Sequence, residues 1–182
     1  AYNKHAVAFA LSGSNYIKGA DISFGRFLSN WMYRRHGDFV RAKLMAKLTF
    51  GSYQNKMNGN GSWLTSNAEE FEKYQKDPRC GFICSTNFYK WFMKGVKGLY
   101  TKQYAADINK DIPIYIYAGD NDHVGKCGKG INKLYSYYKK IGVKDLSVKL
   151  YEGGRHEMLF ESNKDEVAKD VLEYFDRIIA QI

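Results

Sequence analysis

A chain of 182 residues, 45% of them hydrophobic, can bury one sizeable core, and one domain is the default organisation. Its formal charge of +9, from 28 Lys and Arg against 19 Asp and Glu, favours anionic partners without choosing among nucleic acid, acidic membranes and small anions. The basic residues are scattered or paired, as in Arg34-Arg35 and Lys139-Lys140. That pattern excludes the long basic blocks of nucleic-acid tails and polybasic anchors, so nucleic acid is not an expected partner.

The first element is an apolar run over 6–11, followed by Ser12-Gly13-Ser14, which predicts a buried parallel strand ending in a loop. The run is too short to cross a membrane and lacks the basic region and cleavage pattern of a signal peptide, so no transmembrane segment is expected. From Tyr16 to about Ala106, Phe27-Leu28, Trp31-Met32, Val40, Leu44-Met45 and Leu48 recur at helical spacing, which predicts a helical region. A turn-forming stretch over 55–61 and the Asp77-Pro78 pair interrupt it, since proline disfavours helix for the residue before it.

After Asp107 the pattern changes. A β-branched and aromatic run over 112–118 predicts a strand with Pro113 near its start, ending at Gly119. An amphipathic helix over 130–141 follows, with Ile131, Leu134, Tyr138 and Ile141 on one face and Gly142 as its stop. A second strand over 146–151 is broken by Gly153-Gly154. Asn163, with Glu166 in the capping-box position, then opens a last helix whose expected buried stripe is Val167, Val171, Leu172, Phe175 and Ile179. Strand, helix, strand, helix implies a parallel sheet with right-handed crossovers. Cys80, Cys84 and Cys127 are odd in number, with no CxxC pair and no zinc-finger spacing, so a reducing compartment and a cytoplasmic location are expected.

In an open parallel sheet, ligands lie beyond the carboxyl ends of the strands. Both late strands end in loops with titratable groups: Asp120-Asn121-Asp122-His123 after the first, and Arg155-His156-Glu157 after the second. An acid and a histidine on neighbouring strand tips are what a hydrolytic triad requires, because the carboxylate fixes the imidazole tautomer and stabilises the imidazolium. Unrelated surface residues would look the same, and Asp120 rivals Asp122. A metal site built from Asp120, Asp122, His123, His156 and Glu157 is a further alternative. The spacing matches neither a calcium loop nor His-Glu-x-x-His, so no metal is expected, and no cofactor is implied.

The segment from Ile112-Pro113 through Gly125, followed by Tyr151-Glu152-Gly153-Gly154-Arg155-His156-Glu157, resembles the Asp and His segments of lysophospholipases and monoacylglycerol lipases. These are α/β-hydrolases of the serine aminopeptidase-like Hydrolase_4 group. By that resemblance Asp122 is the acid and His156 the base. Ser62-Trp63-Leu64-Thr65, Tyr74 and the stretch from Asp77 to Phe82 resemble the cap of bacterial members, and Leu11-Ser12-Gly13-Ser14 resembles the strand after the nucleophile's helix. The implied fold class is α/β, the C-terminal portion of an α/β-hydrolase with an inserted, mainly helical cap: a core strand over 1–14, the cap over 15–106 and the C-terminal core over 107–182. Trp63, Phe82, Phe88, Tyr89, Trp91 and Phe92 are candidates to line the acyl pocket beneath the cap.

The family places its serine in a Gly-x-Ser-x-Gly elbow. No such motif occurs in these residues: Ser14 is followed by Asn15 and Tyr16, and Ser62 falls in the expected cap. The resemblance therefore implies that the serine and its oxyanion donors lie outside this chain. The expected partners are a lipid-like acyl ester and either the N-terminal half of the same hydrolase or a second copy pairing along the open strand edge. The expected function is a serine ester hydrolase, of lysophospholipase or monoacylglycerol lipase type. The alternative is a non-catalytic remnant or interaction module.

Overall fold

The computed structural model describes residues 5–57 and 61–181, so 58–60 of the turn expected over 55–61 lie outside the described residues. Three parallel strands, β1 (Phe9–Ser12), β2 (Ile114–Gly119) and β3 (Leu146–Tyr151), form a sheet in the order β1-β2-β3. β1 runs beside β2 with Phe9 opposite Ile114, and β2 runs beside β3 with Ile114 opposite Leu146. The central strand begins two residues later than its apolar run. Pro113 has no N–H for the ladder and contributes its carbonyl instead, which accepts from the Phe9 N–H at 3.0 Å.

Every residue of β2 is buried, because helices cover both faces of the sheet. Its side chains alternate. Ile114, Ile116 and Ala118 pack with Ile131 and Leu134 of α7 (Lys129–Lys140), while Tyr115 and Tyr117 pack with Val167, Tyr174 and Ile178 of α8 (Lys164–Ile179). β1, expected to be buried, is half-buried, since among the described residues it has a strand neighbour on one side only.

Two details of the last helix differ from expectation. The α8 stripe is rotated: Tyr174 and Ile178 are buried, whereas Leu172 and Ile179 are each 63% exposed. The tyrosine-lined sheet face selects the rotation, with the Tyr115 and Tyr174 rings 5.3 Å apart. The capping box does not form either. Asn163 has a near-helical backbone (φ −96°, ψ 24°), and its amide donates to Glu166 Oε2 at 3.2 Å instead of capping.

Between β1 and β2 the chain is helical: α1 (Ala20–His36), α2 (Lys43–Ala46), a π turn (Lys47–Gly51), α3 (Ser52–Asn55), α4 (Ala68–Lys76), α5 (Thr86–Gly98) and α6 (Lys102–Asp107). The side chains of Asn67, Ser85 and Thr101 accept from N–H groups in the first turns of α4, α5 and α6, which fixes where those helices start. α4 stops before Asp77-Pro78, as expected. α1 and α5 enclose a small core of Met32, Ala42, Met45, Tyr89 and Met93. No helix among the described residues is long and apolar enough to cross a membrane.

The strap 62–66 joins this helical region to the loop after β3. Arg155 Nη1 donates to the Ser62 carbonyl at 2.5 Å and the Thr65 carbonyl at 3.1 Å, and the Glu157 N–H donates to the Leu64 carbonyl at 2.7 Å. Glu161, only 2% exposed, accepts from the Ser66 N–H at 3.0 Å, from the Ser66 hydroxyl and from the Arg155 N–H at 2.8 Å. A buried carboxylate is tolerated when its lone pairs are filled in this way. Glu161→Ala would strand those donors and is expected to lower unfolding stability by about 3 kcal/mol. Glu161→Gln, which keeps one acceptor oxygen, should lose less. Urea denaturation of both variants checks the order, and equal losses would show that the one acceptor oxygen kept in Glu161→Gln recovers none of the stabilisation.

Candidate active site

Three strand tips converge on one imidazole. Asp122 lies in the loop leaving β2 and His156 in the loop leaving β3, and the two loops cross backbone to backbone. A Cβ on Gly119 would lie 1.9 Å from the carbonyl of Gly154, so no side chain fits at the crossing. Hydrogen bonds pin it: the Asn121 N–H donates to the Gly154 carbonyl at 3.0 Å, and the Asp120 N–H to the Tyr151 carbonyl at 3.0 Å. The tip of β1 adds Gly13, whose φ of +54° and contact with the ring (a Cβ there would be 2.9 Å from His156 Nδ1) both call for glycine.

Asp122 is fully buried. Its Oδ1 accepts from the Val124 N–H at 2.7 Å, and its Oδ2 lies 3.1 Å from His156 Nδ1. The acid loop is held in turn by Asn15, whose amide donates to the Val124 carbonyl at 2.6 Å. Burial pushes the His156 imidazole down, but the hydrogen bond and charge of Asp122 outweigh it and hold the group above its ordinary value. Among the described residues, Nε2 has no hydrogen-bond partner, so the ring's second nitrogen remains open to a proton.

Asp120 does not reach the histidine; it is exposed and accepts from the Gly153 N–H at 2.8 Å. His123 lies beside Cys127, with Nδ1 and Sγ 3.7 Å apart. Among the described residues no group of three or more His, Cys, Asp or Glu side chains could hold a metal ion.

Of the six rings singled out in the sequence, the structure brings Trp63 to the site, with its ring 5.4 Å from that of His156. Phe50 stacks on Trp63 at 5.9 Å and Tyr53 lies 5.6 Å from it, which extends the aromatic wall. Tyr89 is buried in the α1–α5 core, and Phe82, Phe88, Trp91 and Phe92 face solvent. An open groove of about 510 Å³ beside Trp63 is lined by Phe50, Ser62, Leu64, Phe71 and Tyr74. Sequence reasoning missed Phe50, Tyr53, Gly13, Asn15 and the structural roles of Arg155 and Glu161. Gly119 and the Gly153-Gly154 pair, read in the sequence only as strand ends, are the local signal that could have pointed to the loop crossing, whereas no local pattern marks Asn15.

Comparison with known proteins gives this geometry a family. The carboxyl esterase of Bacillus coagulans, solved with glycerol, superposes with a TM-score of 0.81 at 19% identity over 95% of this chain and 57% of that one. The monoglyceride lipase of Saccharomyces cerevisiae, a soluble variant with a substrate analogue, gives a TM-score of 0.66 at 18% identity over 94% and 56%. The monoacylglycerol lipase of Paleococcus ferrophilus gives 0.63 at 17% over 94% and 59%. The chain therefore spans less than two thirds of the length of these structures, with which it shares the α/β-hydrolase fold. No curated protein matches it. The family model described as "Serine aminopeptidase, S33" matches residues 2–163, and the chain belongs to that family, Hydrolase_4.

Proposed function

We propose that this chain supplies the acid and base of a serine ester hydrolase of lysophospholipase or monoacylglycerol lipase type, acting on a lipid-like acyl ester. The observation that carries the reading is the 3.1 Å contact between buried Asp122 and His156 Nδ1, with Nε2 left open. In this reading Nε2 takes the proton of a serine hydroxyl as that oxygen attacks the ester carbonyl, then returns it to the leaving alcohol. Asp122 holds the tautomer and stabilises the imidazolium between the two transfers.

The serine and its elbow belong to a polypeptide region outside these residues, the N-terminal half of the hydrolase, seated against the open edge of β1. The segment 15–106 acts as the cap, and Trp63, with the open groove beside it, receives the acyl chain. The substrate class draws support from family membership and from the esterase and monoglyceride lipase neighbours. The free thiols of Cys80, Cys84 and Cys127 fit a cytoplasmic setting.

Combining the chain with the serine-bearing part of the fold should produce hydrolysis of short p-nitrophenyl acyl esters. Asp122→Asn should then lower kcat by about 10⁴-fold with little change in KM. Absence of turnover from a correctly assembled pair would leave the interaction-module alternative, and fluorophosphonate labelling of this chain by itself would place the nucleophile inside it.

The raised imidazole gives a pH signature readable on the chain alone. By NMR, His156 should titrate above 6.5, and Asp122→Asn should move its midpoint down. Because the folded value exceeds the unfolded one, the Asp122–His156 contribution to stability is fully present below the unfolded value of about 6.5 and is lost as pH rises through the folded value. A His156 midpoint unmoved by Asp122→Asn would break the proposed pairing.

A further inference from the structure

The formal charge is unevenly placed. The stretch 20–56 carries seven Lys or Arg against Asp21 and Asp38, and α5 carries three lysines and no acid, so these two segments hold eight of the net +9 charges. The same helices display large apolar side chains to solvent. On α1, Phe24, Phe27 and Trp31 are 60%, 67% and 52% exposed; on α5, Phe88, Trp91 and Phe92 are 44%, 53% and 46% exposed. Each set recurs at intervals of three and four and so forms one stripe along its helix. The faces by which α1 and α5 join are different ones, carrying Ser29 and Met32 on α1 and Tyr89 and Met93 on α5. Each helix thus has a second apolar stripe that the packing of this lobe leaves uncovered.

Cations lie against the rings. Lys90 Nζ sits 3.4 Å from the Tyr33 ring centroid and Lys94 Nζ 4.5 Å from that of Trp91, while Arg34 and Arg35 occupy the last turn of α1, immediately after the Phe24–Trp31 stripe. This mixture discriminates among occupants. A surface covered by another protein chain is depleted in lysine at its centre. The headgroup region of a bilayer takes Trp and Phe at the level of the acyl boundary while Lys and Arg reach anionic phosphates. We propose that the exposed faces of α1 and α5 form a peripheral docking surface for anionic phospholipid membranes, with Trp31 and Trp91 inserted at the interface and Arg34, Arg35, Lys90 and Lys94 engaging the headgroups. This surface is independent of the hydrolase reading, since binding needs neither Asp122 nor His156.

The test uses the whole chain carrying Trp63→Phe, so that Trp31 and Trp91 are the sole fluorescent indoles. Flotation with mixed phosphatidylcholine–phosphatidylglycerol vesicles should recover the chain, with a blue-shifted emission that brominated acyl chains quench. Pure phosphatidylcholine vesicles should bind at least about tenfold more weakly, and added salt should release the chain. The variant R34Q/R35Q/K90Q/K94Q should lose the preference for anionic lipid while keeping the parent's circular dichroism and thermal transition, since all four side chains lie outside the cores. Equal binding to neutral and anionic vesicles, or none to either, would overturn the proposal. So would tighter retention on an unspecific DNA duplex, or a lipid-free dimer in sedimentation that buries Trp31 and Trp91. Failure of the chain to bind either kind of vesicle, with ester hydrolysis recovered when the chain with Trp63 unchanged is combined with the serine-bearing part, would remove this surface and leave the proposed chemistry standing.

Discussion

The crossing of two backbones at Gly119 and Gly154 sets the geometry of everything around the imidazole. Parallel neighbours β2 and β3 end at the same level, so the loops leaving them compete for the same space. With no side chain on either glycine, the loops pass in contact and exchange hydrogen bonds through Asp120, Asn121 and Gly154. Asp122 is thereby turned inward and His156 outward from the opposite loop. A fully buried carboxylate facing the Val124 N–H and the His156 ring is tolerable because both of its oxygens are engaged. Any residue larger than glycine at the crossing would push the loops that carry Asp122 and His156 apart.

A second set of contacts makes the loop after β3 a structural hub. Arg155 and Glu157, the immediate neighbours of His156, bond to the carbonyls of the strap 62–66, and Glu161 closes the arrangement from below. The strap carries Trp63, so the ring beside His156 is fixed by the same loop that presents the imidazole. The strap is bonded to the loop that presents the imidazole, and Phe50 and Tyr53 of the helical region reach the same ring through Trp63. The strap is thus an extension of the sheet domain's loop, and the more independent part of the helical region is the α1–α5 lobe with its own small core.

That lobe and the sheet solve the burial of apolar surface differently. In the sheet, β2 is covered on both faces and its alternating side chains are divided between α7 and α8. In the lobe, two helices enclose five buried residues and leave aromatic rings outside, accompanied by an excess of cations. A local pattern of apolar residues at helical spacing cannot distinguish these cases, because both stripes of α1 satisfy it. Phe27, Trp31, Leu44 and Leu48 all fit the helical pattern, yet all are exposed.

The sequence by itself determined the succession of elements after Asp107, the parallel connection of β2 and β3 and the neighbourhood of Asp122 and His156. Strand alternation, helix periodicity and glycine stops are local signals, and parallel strands must end on the same side of a sheet. It also carried the family resemblance. Tertiary structure decided which acid meets the imidazole, because Asp120 and Asp122 differ only in which way the loop turns. It decided the rotation of α8, where tyrosines on the sheet drew in Tyr174 and left Leu172 and Ile179 in solvent. It decided as well that Phe50, Tyr53 and Trp63 form one wall and that Glu161 holds a strap 95 residues away. Those outcomes depend on contacts between segments distant in the chain, and such contacts leave no periodicity for a local pattern to reveal.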